Sequence, residues 1–272
     1  ERLLEIQKRL KGGKEAEVSL SDPDSVSQHL RNNSTIVGYN TQIAVDAKSH
    51  MIVDIDVTAN KNDLAELGPM AVKAQAELAE ILPGKRDENS PMIVVADAGY
   101  HENDQLEICE KHGIKTYVPE PRRRSGVSTD GVQVFPKSKF VRNDELDLYV
   151  CPNGKKLTPK KPHKHGNYLR IPYVNRKACK ECPLKALCTQ GDYRKIFRRT
   201  NQDVADRTKE RMEESPALFR RRKGIVEHVF GTMRNNGHDR LWTRGKANVL
   251  GELHLSALVY NMKRAIKIRE AA

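Results

Sequence analysis

The chain has 272 residues, 38% hydrophobic, 5% aromatic and 31% charged, with a mean hydropathy of -0.69. No apolar run reaches the roughly 20 residues a membrane span needs, so no membrane partner is expected. The formal net charge of +12 and pI near 9.5 point to polyanions as partners.

That charge is concentrated. Residues 151–200 hold 14 Lys or Arg against two acids, Glu181 and Asp192, so this segment alone carries the +12 and the remainder balances. A basic segment in a neutral frame favours nucleic acid over general solubility. The chain opens on Glu1 rather than Met, followed by Arg2, Lys8, Arg9 and Lys11. That pattern is no signal peptide, and the expectation is the middle of a longer gene product.

Residues Glu1 to Gly12 have helical spacing (Leu3, Leu4, Ile6, Leu10) and end at Gly12-Gly13. Ser19 to Arg31 is polar, with a turn at 21–24. Two strands are expected at Ile36–Val45 and Met51–Thr58, joined by a hairpin loop over Asp46–His50. Alternation in the second puts Ile52, Asp54 and Asp56 on one face and Val53, Ile55 and Val57 on the other. Asn62-Asp63 then caps a helix from Leu64 to about Leu82, with Leu64, Leu67, Met70, Ala71, Ala74 and Leu78 at helical intervals. Pro83-Gly84 ends it.

Met92-Ile-Val-Val-Ala96 stops at Asp97, with Gly99 allowing the chain to turn away. Continuous apolarity suits a strand buried on both faces, and an Asp at its carboxyl end is where open α/β sheets place ligands. Capping of the next turn is the plainer role for such an Asp. A helix over Asn103–His112, closed by Gly113, and a strand over Ile114–Val118 follow. From Pro119 regular patterning gives way to a stretch rich in Pro, Lys and Arg. Helices return from about Ser215 to Arg234 and from about Asn248 to Ile268. The expected fold class is α/β, a mixed sheet with covering helices. The expected segments are a lead-in at 1–34, a first core part at 35–118, a basic Cys-rich insert at 119–205 and completing helices at 206–272.

Within the helix over 215–234, Val226, Val229, Phe230 and Met233 form the inward stripe. At 100° per residue, Lys223, Arg220 and Arg234 fall within about 40° of Glu227. One acid in a row of cations reads either as surface salt bridges or as a site where those cations grip phosphates. An acid at a strand end and another on a packed helix suit a two-metal phosphoryl-transfer site, since Mg²⁺ is held by few carboxylates and keeps open positions.

Val37-Gly-Tyr39-Asn-Thr-Gln42-Ile-Ala-Val-Asp46, Ile52–Thr58, Ala96-Asp97-Ala-Gly-Tyr100, Arg222-Lys-Gly-Ile-Val-Glu227-His-Val-Phe-Gly231 and Tyr260-Asn261-Met-Lys-Arg264 together resemble the DDE transposases of bacterial insertion sequences. The resemblance runs from about Ser19 to Arg264. It implies an RNase H-like core that cuts and rejoins DNA with three carboxylates and Mg²⁺ (or Mn²⁺). By motif match Asp97 is the second carboxylate and Glu227 the third, both Mg²⁺ ligands. Arg220, Lys223 and Arg234 are the expected DNA contacts, Arg234 standing where the family has Lys. Double-stranded DNA (element ends and target), a homodimer in the DNA complex and a cytoplasmic, nucleoid-associated location are the further implications.

An RNase H-like core opens with three antiparallel strands, the first bearing the first Asp. Only two strands are read here before the helix at Leu64, so the expectation is that strand one and its Asp lie upstream of Glu1. Asp46 falls in the hairpin loop, Asp54 and Asp56 on a strand not neighbouring the fourth, and Asp22 and Asp24 in a polar turn.

Four of the five cysteines lie in the basic segment: Cys151, Cys179, Cys182 and Cys188. Cys179-Lys-Glu-Cys182 is a Cys-x₂-Cys knuckle, and Cys151-Pro-Asn-Gly154 resembles half a zinc ribbon. Four thiolates suit a structural Zn²⁺, in a segment with few apolar residues for a core of its own. Free thiols are the alternative; His163 and His165 are possible substitutes, and Cys109 reads as a packed core thiol. Tyr168, Tyr173, Tyr193 and Phe197 suit contacts with phosphates and bases. The functional expectation is DNA transposition, cutting element ends and joining a 3′-hydroxyl to target DNA. A nuclease of the same core, an inactive DNA-binding remnant and a zinc-knuckle RNA-binding protein are the alternatives.

Overall fold

Residues 40–45 and 52–58 pair as an antiparallel hairpin in the computed structural model, which describes residues 2–12, 17–29, 34–83, 90–121, 134–238 and 240–271. Gly13 and Gly84, expected at helix ends, lie outside these residues, as does 122–133 of the basic segment. The chain divides into two compact units, one formed by Glu1–Glu120 with Arg207–Ala272 and the other by Pro121–Asp206.

The first unit begins with α1 (Arg2–Lys11), β1 (Val26–His29), β2 (Thr35–Gly38), β3 (Asn40–Val45) and β4 (Ile52–Thr58). β1 pairs antiparallel with β2, Val26 opposite Gly38. Four strand segments therefore precede the first long helix, where two strands were expected. Composition hid β1 because Val-Ser-Gln-His is polar and short; backbone pairing, not side-chain burial, makes it a strand.

The turn between β3 and β4 is organised by Asp46. Its Oδ2 accepts from the Ser49 amide (2.6 Å), the Ser49 hydroxyl (2.6 Å) and the Lys48 amide (3.1 Å). Burial works against the charged carboxylate, but these Ser49 and Lys48 donors outweigh it and hold the Asp46 pKa below its ordinary value. His50 follows at φ 59°.

Ile52 departs from simple alternation. Val45 pairs with Ile52 while Ala44 pairs with Asp54, so Val53 is an extra residue at a bulge. One extra residue reverses the faces on either side. Ile52 thereby joins Ile55 and Val57 in the core, rather than sharing a face with Asp54 and Asp56. Asp54, 9% exposed, points the other way and pairs with Lys73 at 3.0 Å.

α2 (Leu67–Ile81) and α3 (Asn103–Lys111) flank β5 (Ile93–Val95) in sequence, and β6 (Lys115–Tyr117) follows. Leu67, Ala71 and Ala74 of α2 are buried, while Leu64 lies outside the helix and is exposed. α2 approaches α3 closely at Gly68. A Cβ there would stand 2.8 Å from Gln105 Oε1 and 3.0 Å from Ile108 Cγ2. Gly113, at φ 68°, lets the chain leave α3 for β6.

β5 runs parallel to β6 and pairs with no other strand among the described residues. Ile93 is 50% exposed, so the expected burial on both faces is corrected: the face carrying Ile93 is left open to solvent. The core lies on the other sheet, where Ile52, Ile55 and Val57 meet Val229 and Met233 of α8 (His228–Met233) and Val249, Leu253, Ala257 and Tyr260 of α9 (Lys246–Glu270). The α9 residues recur at helical spacing and make one buried face.

The motif Tyr260-Asn261-Met-Lys-Arg264 grips the hairpin. Asn261 Oδ1 accepts from the Ile52 amide and its Nδ2 donates to the Ile52 carbonyl, both at 2.8 Å, so the side chain acts as a strand partner. The Tyr260 hydroxyl donates to the His50 carbonyl at 3.0 Å, and Arg264 Nε to the Ser49 carbonyl at 2.6 Å.

The second unit is not patternless. β7 (Val141–Asn143), β8 (Leu148–Val150), β9 (Lys156–Pro159), β10 (His163–His165), β11 (Tyr168–Val174) and β12 (Lys195–Arg199) form a six-stranded antiparallel sheet, with β11 paired to β9, β10 and β12. Two short helices, α4 (Arg176–Lys180) and α5 (Lys185–Cys188), interrupt it. Phe140, Tyr149, Leu157, Tyr173 and Ile196 make its core, so it has an apolar centre of its own. Aromatic side chains supply that centre from few residues, which is why composition understated it. α6 (Gln202–Glu214) and α7 (Pro216–Arg222) complete the chain's elements.

Candidate functional site

Asp97 follows β5 and caps a 3-10 turn over Ala98–Tyr100, its Oδ1 accepting from the Gly99 amide at 2.8 Å. The plainer role of this Asp is thus real, but it uses one oxygen. The other, Oδ2, faces Arg222 Nη1 at 3.9 Å.

Arg222 Nη2 lies 3.7 Å from Glu227 Oε1. One guanidinium therefore stands between the two acids singled out in the sequence. Both contacts are longer than hydrogen bonds, and the carboxylates keep 46% and 58% of their side-chain surface exposed. Arg222 is only 17% exposed, and its buried Nε has no hydrogen-bond partner among the described residues.

The identity of that cation corrects the helical reading. α7 ends at Arg222, and Lys223–Glu227 forms a π-helical turn before α8. Bonding from i to i+5 brings residues five apart onto one face, so Glu227 meets Arg222 rather than Lys223 or Arg220. Lys223, Arg220 and Arg234 are exposed and make no ion pair with Glu227 among the described residues. Val229 and Met233 are buried as the stripe requires, whereas Phe230 is 41% exposed because the same turn rotates it outward. Gly224, a poor α-helix residue inside an otherwise helical run, is the one sequence sign of this break.

A third acid lies beside Asp97. A methyl built on Gly99 would stand 3.0 Å from Asp97 Oδ1 and 3.5 Å from Asp63 Oδ2. Sequence reading gave Asp63 a capping role. Its Oδ1 instead accepts from Asn40 Nδ2 (2.8 Å) and Gln42 Nε2 (2.9 Å), and the Tyr100 hydroxyl donates to Gln42 Oε1. Burial, then the charges of Asp63 and Asp97, push the Tyr100 pKa far above its ordinary value, so it stays a neutral donor. The Tyr39-Asn-Thr-Gln42 and Asp97-Ala-Gly-Tyr100 blocks are thereby one hydrogen-bonded network.

The remaining candidate acids are engaged elsewhere. Asp22 accepts from the Tyr39 hydroxyl and the Gly245 amide, and Asp24 from the Lys246 amide. Asp56 Oδ1 accepts from the Val57 amide at 2.7 Å.

Next to Glu227, His228 forms part of a cleft of about 520 Å³ with Thr232, Asn236, Tyr260 and the α9 residues Lys263, Arg264, Lys267 and Glu270. Lys263 and Lys267 have no carboxylate partner among the described residues. The cleft is cationic and suits an anion.

The cysteines do not form the expected site. Cys151, Cys179, Cys182 and Cys188 form no disulfide among the described residues. Burial raises the Cys188 pKa, with further upward pushes from Cys179, Cys151 and Cys182 after the lowering effect of Arg194. The four are thus neighbours. Yet among the described residues no group of three or more His, Cys, Asp or Glu is disposed to hold a metal ion. Cys151 and Cys188 pack instead against the aromatic core, so the four-thiolate zinc site is not supported. His163 and His165 lie on β10 and are exposed. Cys109 is fully buried, which raises its pKa to about 11.

The expected base-stacking aromatics of this unit are largely occupied. Tyr173 is 1% exposed. Arg199 covers Tyr168 at 3.8 Å, Arg170 covers Phe197 at 4.1 Å, and Arg176 covers Tyr193 at 4.8 Å.

Among known proteins, residues 150–266 match the family model described as the transposase DDE domain. The match takes in Arg222, Glu227 and α9 as far as Ile266, and begins beyond Asp97. No curated protein and no solved structure matches the chain. No helix among the described residues is long and apolar enough to cross a membrane.

Proposed function

We propose, from this transposase DDE-domain match over residues 150–266, that the chain carries the catalytic core of an insertion-sequence DDE transposase that cuts element ends and joins a 3′-hydroxyl to target DNA. The family match supports a DDE transposase with transposition-related nuclease activity and DNA as its partner. The observation that carries the finer reading is the convergence of Asp97 and Glu227 on one guanidinium.

That arrangement fits a divalent cation. Both groups are hard carboxylate donors and both are half-exposed; the Arg222 guanidinium stands between them and would have to give way to the ion. Mg²⁺ or Mn²⁺ held there by Asp97 and Glu227 would supply Lewis-acid stabilisation of charge at the reacting phosphate. Asp97 keeps its orientation through the Gly99 amide, and Tyr100 fixes the turn by donating to Gln42. Arg222 balances the two negative charges. The exposed cations Arg220, Lys223 and Arg234, with the cleft of Lys263, Arg264 and Lys267, are suited to gripping backbone phosphates.

An RNase H-like arrangement is supported by the order of elements: the β3–β4 hairpin, α2, then β5 parallel to β6 with Asp97 at the carboxyl end of β5. Action as a homodimer on paired element ends belongs to the same proposal. The test is metal-dependent nicking and strand transfer on element-end DNA, with Asp97→Asn and Glu227→Gln as controls. Loss of both activities with DNA binding retained is expected. Cleavage that survives either substitution rejects the site, and nicking without strand transfer leaves a nuclease.

A further inference from the structure

Trp242 is 85% exposed, more than any other large hydrophobic residue described, and it is the chain's one tryptophan. A solvent-facing indole is costly to leave uncovered, and a loose loop would let it fold back onto the surface. This loop is not loose. The Trp242 amide donates to Glu252 Oε1 at 2.9 Å, while the Thr243 amide and hydroxyl donate to Glu252 Oε2 at 2.9 and 2.8 Å. On one side Leu241 packs against the core. On the other, the Gly245 amide is bound to Asp22, the Lys246 amide to Asp24 and the Arg244 carbonyl to Asn248. Gly245, at φ 82°, makes the bend into α9. The backbone is tied on both sides of an indole that projects outward.

The surroundings of the ring decide what it meets. Arg240, Arg244 and Lys246 are exposed within four residues of it, and none pairs with a carboxylate side chain among the described residues. A protein-docking tryptophan would sit among apolar neighbours; here Arg240, Arg244 and Lys246 are the exposed charged residues flanking it in the chain. An exposed π-face with exposed cations close by in the chain suits single-stranded nucleic acid, the face taking a base and the cations the phosphates beside it.

We propose that Trp242 is a stacking platform for an unpaired nucleobase, with Arg240, Arg244 and Lys246 holding the adjoining phosphates. The proposal deepens the DNA-processing reading above and rests on it: strand cutting and joining expose unpaired ends, and this loop supplies a place to hold one.

A single tryptophan makes the loop its own reporter. The whole chain is titrated with a short labelled oligothymidylate and with an abasic strand of equal length, reading anisotropy for binding and indole emission for stacking. The expected result is that both strands bind, but only the base-bearing strand quenches the emission. Trp242→Ala is expected to weaken oligothymidylate binding about tenfold and to leave the abasic strand unaffected. Equal quenching by both strands, or unchanged affinity in the variant, overturns the platform. An emission change that follows protein concentration without DNA also overturns it, marking a protein-docking face. Anisotropy showing no DNA binding by the unaltered chain instead rejects the parent reading, independently of the indole.

Discussion

Asp97 and Glu227, far apart in the chain, are brought to either side of the Arg222 guanidinium, at 3.9 and 3.7 Å. The π-helical turn at Lys223–Glu227 is the local cause, because it aligns residues five apart. Neither contact is a hydrogen bond, so Arg222 acts as a charge placed between the acids rather than as a clamp on them.

A guanidinium in that position competes with a metal ion for the same carboxylates. Arg222→Met keeps the packing volume and removes the charge. At about 4 Å through solvent such a charge is worth roughly 1 kcal/mol, so Mn²⁺ should bind roughly fivefold more tightly to the variant by calorimetry. Weaker binding would show that Arg222 positions the acids and would reject the competition.

The Tyr100 hydroxyl donates to the Gln42 amide oxygen, and Gln42 is only 2% exposed. Tyr100→Phe leaves that buried acceptor without its donor, a loss of about 1–3 kcal/mol. Because burial and the neighbouring Asp63 and Asp97 keep Tyr100 protonated well above its ordinary pKa, the loss should be the same at neutral and mildly alkaline pH. Urea unfolding at the two pH values measures it; a variant as stable as the unaltered chain would mean that water replaces the hydroxyl.

Much of this network could be read from sequence as residues but not as contacts. Asp97 after an apolar run, Glu227 among cations and the hairpin at Asp46 are local patterns, and periodicity reports them. Arg222 as the shared cation depends on a π-helical turn, which a constant 100° per residue erases. Ile52 reached the core through a bulge at Val53, invisible to strict alternation. Asp63 looked like a helix cap because its partners, Asn40 and Gln42, lie on β3. The sheet of the second unit escaped notice because its core is a few aromatic residues scattered among lysines and arginines.

Arg207 binds Glu110 through Nε at 3.0 Å and through Nη2 to the other carboxylate oxygen at 2.5 Å. This hydrogen bonding to Arg207 is the main reason the Glu110 pKa falls below its ordinary 4.5, against an upward push from burial. A carboxyl depressed on folding adds stability that is complete above 4.5 and is lost as pH falls through the lower folded value. With both side chains partly exposed, the contribution is on the order of 1 kcal/mol or less. Thermal unfolding followed from neutral pH into that acid range should show Glu110→Gln losing its deficit as the pH drops. A deficit that persists unchanged in acid would assign it to packing.

Asn261 lies in α9 within the block Tyr260-Asn261-Met-Lys-Arg264. Its amide supplies both halves of a strand pairing to Ile52, whose side chain is 6% exposed in the core. Asn261→Leu removes donor and acceptor together, leaving the Ile52 amide and carbonyl without these partners at the bulge. Each group left unsatisfied costs about 1–3 kcal/mol, so the urea midpoint should fall clearly. Asn261→Asp retains the acceptor for the Ile52 amide but turns a carboxylate oxygen toward the Ile52 carbonyl. That repulsion should make it at least as damaging as Leu at neutral pH and less damaging in acid, where the carboxyl can donate. Urea midpoints unchanged in both variants would show that the hydrogen bonds are incidental and that α9 holds β4 through apolar contact alone.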